Sequence, residues 1–353
     1  MPLHRLRQVP RCHPQGRATA HERRSVKMRR AIRLFALSCI MAMPLAAWAR
    51  EQTLLEYAGQ CAREIGEIPA FDCNDGTDIP ITINGKPPAH NESPRLCDKP
   101  SLLHPDSEVT GQCIPYSKIL NLSRGNTQIS AYCRRNTLRA DKDPNYDEVV
   151  IVMHHSGNGK TCWFQSLPAS GAKGFDATRV PPPNEKKPPP GRTSAVEFWT
   201  SPAKVAAERP GCVSCHDAGP FIFSPYIGQV WDKVPTDPWG RYSNIGAAFS
   251  SHRLTTITTP GNACIGCHRI GSEQSCTAYI GLSAGKFAAP GNDTLANRYP
   301  LSHWMPTDNT MSEAQWNEAN VKSVEALLAC CNDKAHKNPN CSFNPVPASS
   351  NAR

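Results

Sequence analysis

The sequence predicts an α+β chain in two parts. A disulfide-rich, β-containing domain comes first, followed by a mainly helical, loop-rich domain built around a repeated cysteine–histidine motif. Three observations carry this prediction. The chain holds 16 cysteines, far more than a reducing compartment favours. Before residue 180, short runs of β-branched and aromatic residues alternate with Asn-Gly, Asp-Gly and Pro-Pro turn signals. After residue 200, helix-start signals precede two Cys-x-x-Cys-His pentads and a capped C-terminal helix.

The first element is a targeting segment. Lys27, Arg29 and Arg30 precede the apolar run Ala31–Leu45, and Ala47-Trp48-Ala49 is a small-x-small cleavage site. Residues 28–49 therefore read as a secretory signal peptide cleaved after Ala49, which predicts the periplasm. Its apolar core of about 15 residues is too short to span a bilayer, and no later segment is as hydrophobic. No transmembrane segment is expected in the mature chain. Residues 1–27 precede Met28, where such a signal normally begins, and are expected to be a mis-assigned N-terminal extension. Arg23-Arg24 lacks the hydrophobic pair of a twin-arginine signal.

The formal charge of +9 resides in that leader. Residues 1–49 hold 10 of the 39 Lys and Arg residues and one of the 30 acidic residues, leaving 29 of each sign. A neutral mature chain has no electrostatic footprint for nucleic acid.

Residues 50–180 read as the disulfide-rich N-terminal domain. Thr53–Ile68 suggests a short helix, and Ile79–Ile83, Glu148–Met153 and Cys162–Leu167 suggest strands. His155–Thr161 resembles a phosphate loop only superficially, because His154 stands where the first glycine belongs. Residues 181–200 open with Pro181-Pro182-Pro183 and continue to Pro188-Pro189-Pro190, which predicts an extended linker. Residues 201–335 form the second domain, and residues 336–353 a C-terminal tail. In the second domain Ser201 and Pro202 start a helix that leads into the first pentad. Ser312-Glu313-Ala314-Gln315 is a capping box for a helix with Val321, Val324 and Leu328 on one face.

The pentads carry the chemistry. Cys212-Val213-Ser214-Cys215-His216 and Cys264-Ile265-Gly266-Cys267-His268 each have the attachment spacing of a c-type haem. Two thiols add across the vinyl groups, and the next histidine becomes the proximal iron ligand. The pattern predicts two covalently attached c-type haems. Zinc knuckles usually lie closer together than these pentads, and a thioredoxin-type pair needs a strand–helix context missing here. Ten cysteines remain beyond the leader and the pentads: Cys61, Cys73, Cys97, Cys113, Cys133, Cys162, Cys276, Cys330, Cys331 and Cys341. They predict up to five disulfides with undetermined pairing.

The order of the second pentad, a variable loop, Met305-Pro306 and a capped terminal helix resembles class I cytochrome c over about residues 255–331. The resemblance implies His268 as proximal and Met305 as distal ligand of the second haem. A thioether is a soft ligand that raises the reduction potential. Met311 is the competitor, without the proline.

For the first haem, no methionine lies between Met153 and Met305. His252 is the only histidine between His216 and Cys264, so bis-histidine ligation by His216 and His252 is expected, giving the lower-potential haem. Met153, His154, His155 and His303 are alternatives, as is an open site. Phe221, Phe223, Tyr226 and Trp231 are candidates for the crevice walls, and Arg269 and Glu273 are the charged residues beside the second pentad. The resulting expectation is a dihaem cytochrome c that passes single electrons between redox partner proteins. The alternative is a dihaem peroxidase or small-molecule dehydrogenase with one open haem.

Overall fold

The computed structural model describes residues 51–82, 86–88, 113–208, 211–222, 226–235, 239–252, 254–276, 280 and 312–347. It opens with helix α1 (Leu54–Glu64), started by a reciprocal capping box between Thr53 and Glu56. Leu54, Tyr57, Ala58 and Cys61 are its buried stripe, at the spacing of one helix face. A 3-10 turn at Cys73–Asp75 leads to strand β1 (Thr77–Asp78). Strands β2 (Lys118–Asn121), β3 (Thr127–Arg134), β4 (Asn145–Tyr146), β5 (Glu148–His155), β6 (Lys160–Ser166) and β7 (Phe175–Asp176) follow.

Short helices α2 (Ala195–Phe198), α3 (Pro202–Ala207) and α4 (Cys212–Cys215) come next, then strands β8 (Ser243–Asn244) and β9 (Thr255–Thr258). Helix α5 (Glu313–Asn332) and strand β10 (Ser342–Pro345) complete the described chain. No helix among the described residues is long and apolar enough to cross a membrane.

The central feature is a six-stranded sheet in the order β1-β2-β3-β5-β6-β8. All its pairings are antiparallel except β6 with β8. Register assigns the faces. Ile129, Ala131 and Cys133 lie beside Met153, Ile151 and Val149, and Cys162 and Phe164 continue that face. Helix α1 covers it, with Tyr57 and Phe164 ring centroids 5.3 Å apart and disulfide Cys61–Cys162 between them. Cys73–Cys133 staples the 3-10 turn to β3.

The other face carries Val152 beside Trp163 and His154 beside Thr161. It too is covered, so β6 is buried continuously from Thr161 to Ser166. Burial on both faces explains why this strand lacks polar–apolar alternation.

The expectation of a mainly helical domain after residue 200 is corrected here. The architecture is dominated by the sheet, and β8, from the second half, is one of its strands. In the described part of residues 201–335 only α5 is longer than two turns, whereas α3 and α4 span six and four residues. The physical reason is local. Helix α3 lacks a side-chain cap bond at Ser201, and Glu208 is already extended. The chain around the first pentad is held by short turns and side-chain hydrogen bonds, and the second pentad rests against α5.

The core also runs through the Pro-rich segment. One cluster of buried residues extends from Leu54 through Val180, Ala195 and Trp199 to Val346. Pro181 and Pro183 are buried, and the Trp199 indole N–H donates to the Pro181 carbonyl at 2.9 Å. Prolines lack the N–H that burial would strand, so they can line a core in extended geometry.

A second, smaller core surrounds α5. Trp316, Val324, Leu327, Cys330 and Cys331 are buried on the helix, while Val321 and Leu328 are only half-buried. Strands β9 and β10 pair antiparallel beside it. Adjacent cysteines at the helix end bond in different directions, Cys330 to Cys341 and Cys331 to Cys276.

Candidate functional site

Helix α4 is a single turn, and it contains the first pentad. Residues three and four apart share a helix face, so Cys212, Cys215 and His216 project to one side. Ser214 Oγ donates to the Gly211 carbonyl at 2.8 Å and fixes the start of the turn. Cys212 and Val213 pack into the main core.

The His216 ring lies against Trp163 on the second face of the sheet, with centroids 4.7 Å apart and planes inclined by 52°. Trp163 is itself held, its indole N–H donating to Asn244 Oδ1 at 2.8 Å. Burial pushes the imidazole down to about 4, against the pull of the Pro220 and Gly219 backbone carbonyls. His216 is therefore neutral at pH 7, the form that can donate a lone pair to a metal. Its Nδ1 is sealed from solvent and has no hydrogen-bond partner. A buried ring nitrogen without a partner is a polar group that folding has left unsatisfied, open to a ligand the protein itself does not supply.

The Cys212 thiol is pushed up to about 12 by burial, with the Glu208 and Glu148 carboxylates adding to it. A redox-active Cys-x-x-Cys pair needs the opposite, a stabilised thiolate. Among the described residues, no three His, Cys, Asp or Glu side chains converge on a metal-sized point. The two pentads thus do not come together as one four-thiolate knuckle pair.

The second pentad begins in a 3-10 turn at Cys264–Gly266. Asn262 organises it: Oδ1 accepts from the Cys264 N–H at 3.0 Å, and Nδ2 donates to the Ser323 carbonyl of α5 at 2.8 Å. Ser323 Oγ accepts from the Ala263 N–H at 2.9 Å. Cys264 is half-buried, whereas Cys267 and His268 are exposed. The two pentads therefore differ in environment, one packed on the sheet and the other held open by α5.

The remaining cysteines separate cleanly from these four. Cys61–Cys162, Cys73–Cys133, Cys276–Cys331 and Cys330–Cys341 are disulfides, and Cys113 is disulfide-bonded as well. Among the described cysteines, Cys212, Cys215, Cys264 and Cys267 alone stand outside any disulfide. Cys97 lies outside the described residues.

The candidate distal ligands divide by environment. His252 Nδ1 is buried without a hydrogen-bond partner, and among the described residues His252 and His216 are the histidines with this property. His154 lies on the face that receives His216, but its Nδ1 is engaged with Thr161 Oγ1 at 2.8 Å. Met153 is on the opposite face, toward α1, as is His155, whose Nδ1 accepts from the Gly157 and Asn158 N–H groups. His303, Met305 and Met311 lie outside the described residues.

Of the aromatic candidates, the Phe221 ring stands edge-on to His154 at 6.2 Å, and the Tyr132 hydroxyl donates to the Tyr226 hydroxyl at 3.3 Å. Phe223 and the Trp231 side chain lie outside the description.

Three residues of this site carried no local signal. Trp163 reads as an ordinary strand residue, and only its register beside Val152 places it under His216. Tyr242 donates its hydroxyl to the His216 carbonyl at 2.7 Å from 26 residues away. Asp217 is buried, and burial pushes its carboxyl up to about 6 despite hydrogen bonds from Ser275 and the Glu273 N–H. Arg269 is committed to backbone carbonyls of Ala218 and Gly240. Comparison with protein-family models, curated proteins and solved structures finds no match to this chain.

Proposed function

We propose that this chain is an exported, periplasmic protein that carries two covalent c-type haems and passes single electrons between redox partner proteins. Cys212 and Cys215 attach one haem with His216 as proximal ligand, and Cys264 and Cys267 attach the other with His268. His252 is the proposed distal ligand of the first haem and Met305 that of the second. When bound, the haems supply reversible one-electron iron chemistry. The protein supplies axial ligands, burial and orientation.

The observation that carries this reading is the division of the cysteines. In a chain whose other described cysteines are all oxidised to disulfides, the four pentad cysteines stand apart. An exported protein seldom keeps four cysteines out of disulfides without using them. The unpartnered ring nitrogens of His216 and His252 support the same reading. The chain's own contribution is to keep His216 neutral, to orient it against Trp163, and to exclude water from its Nδ1.

The test is the protein matured in a host with a haem-attachment system. Two haems per chain by pyridine haemochrome are expected, falling to one in Cys215→Ser and in Cys267→Ser. No covalent haem in the unsubstituted protein overturns the reading.

A further inference from the structure

The residues that follow the two pentad histidines grip each other's segments. Asp217, directly after His216, accepts from the Glu273 N–H at 2.6 Å, from the Ser275 N–H at 3.3 Å, and from the Ser275 hydroxyl. All three donors lie just beyond the second pentad. Arg269, directly after His268, reaches the other way. It donates to the Ala218 carbonyl at 3.0 Å, next to Asp217, and to the Gly240 carbonyl at 2.7 Å. The Asp217 bonds and the Arg269–Ala218 bond run in opposite directions between the same two segments, and the Gly240 bond ties in a third.

This clamp is tightly built. Asp217 is 3 % exposed, although a lone carboxylate is costly to bury. Gly271 packs so closely that a Cβ there would lie 2.2 Å from the carboxyl group, so only glycine admits the contact. Gly271 is in turn bridged to Thr256 of β9. Two directional contacts between rigid backbones fix both spacing and rotation, as one contact alone does not.

Resting on the haem reading above, we propose that Asp217 and Arg269 are positioning residues that set the mutual placement of the two haem-carrying segments. They thereby set the rate of electron exchange between the haems. In that exchange one iron goes from ferrous to ferric as the other goes from ferric to ferrous, with no other reactant. Each clamp residue is one peptide bond from a proximal histidine, so a shift at the clamp is passed directly to an iron ligand. Sub-ångström to ångström displacements of reacting groups carry large rate effects.

The test uses the matured holoprotein and its Asp217→Asn, Arg269→Gln, Arg269→Lys and Gly271→Ala variants. Haem content is measured first, and its absence from the unsubstituted protein removes the haem reading and not the clamp. With two haems bound, the exchange rate after flash photoreduction and the separation of the two midpoint potentials are measured.

Asp217→Asn removes the charge and one of the two acceptor oxygens, and Gly271→Ala displaces the carboxylate while keeping it chemically intact. Each is expected to slow exchange by about tenfold or more with both low-spin spectra retained. Arg269→Gln is expected to do the same, and Arg269→Lys, which can keep one of the two carbonyl bonds, to recover part of the loss. Unchanged exchange and potentials in Arg269→Gln and Gly271→Ala overturn the proposal. So does a set of variants in which only the yield of folded protein falls, since the pair would then act on folding alone.

Discussion

The indole of Trp163 packs on the imidazole of His216, 53 residues further along the chain, with ring centroids 4.7 Å apart. Strand β6 thereby becomes the floor of the first pentad, and the sheet becomes part of the site. Trp163→Ala removes this floor and leaves a cavity, with an expected loss of about 3–5 kcal/mol in urea unfolding. Trp163→Phe keeps a ring and loses the bond to Asn244, so its loss is expected to be roughly half as large. Equal losses for the two substitutions would show that the ring contact is unimportant.

His252→Ala tests the first haem directly. With His252 as the proposed distal ligand, its removal is expected to open one iron to carbon monoxide and to convert half of the low-spin absorption. His154→Ala is expected to leave the spectrum low-spin, because that ring is engaged with Thr161. The unsubstituted protein is expected to ignore carbon monoxide. Ready binding there would favour the enzymatic reading, with one haem open to substrate.

Acid stability is expected to depend on Asp147. Burial alone would raise its carboxyl, but two 2.6 Å bonds from Arg139 and the N–H groups of Asn136 and Thr137 hold it below the usual range. A depressed native value means the contribution is complete above the unfolded carboxylate range, near pH 4, and fades as pH falls through the native value. Asp147→Asn is therefore expected to cost about 3 kcal/mol at pH 7 and progressively less below pH 4. A cost independent of pH in denaturant titrations would refute the assignment.

The Cys61–Cys162 bond closes a loop of 101 residues and ties α1 to β6. Loops of that length lose much denatured-state entropy on cross-linking, so the double serine variant is expected to lose about 4 kcal/mol. Thermal melting at matched pH measures it, and a loss below about 1 kcal/mol would mean that packing of Tyr57 on Phe164 suffices.

What could be read from the residues was local. The capping box at Ser312 locates the start of α5, and the β-branched run from Glu148 locates the start of β5. The pentads are legible because their chemistry lies within five consecutive residues. What escaped reading is long-range. Nothing near Ser243 announces that β8 will join β6, and nothing in Pro181–Pro183 announces burial against Trp199. On α5 the buried stripe runs through Trp316, Val324, Leu327 and Cys331 at helical spacing, turned slightly from the face that Val321 and Leu328 mark. The helical reading of the second half failed as well. The helix-start signal at Ser201 was answered by less than two turns, and the pentad after it by a single separate turn.

The surroundings of His216 are assembled from distant stretches of chain. Tyr242, whose hydroxyl holds the His216 carbonyl, is anchored through its N–H to the Pro347 carbonyl at 2.9 Å. During synthesis, residue 347 emerges well over a hundred residues after the first pentad. The contact that anchors Tyr242 can therefore form only after nearly all of the described chain has been made. A chain that ends before residue 347 lacks the partner that anchors Tyr242, and with it the support of the His216 carbonyl.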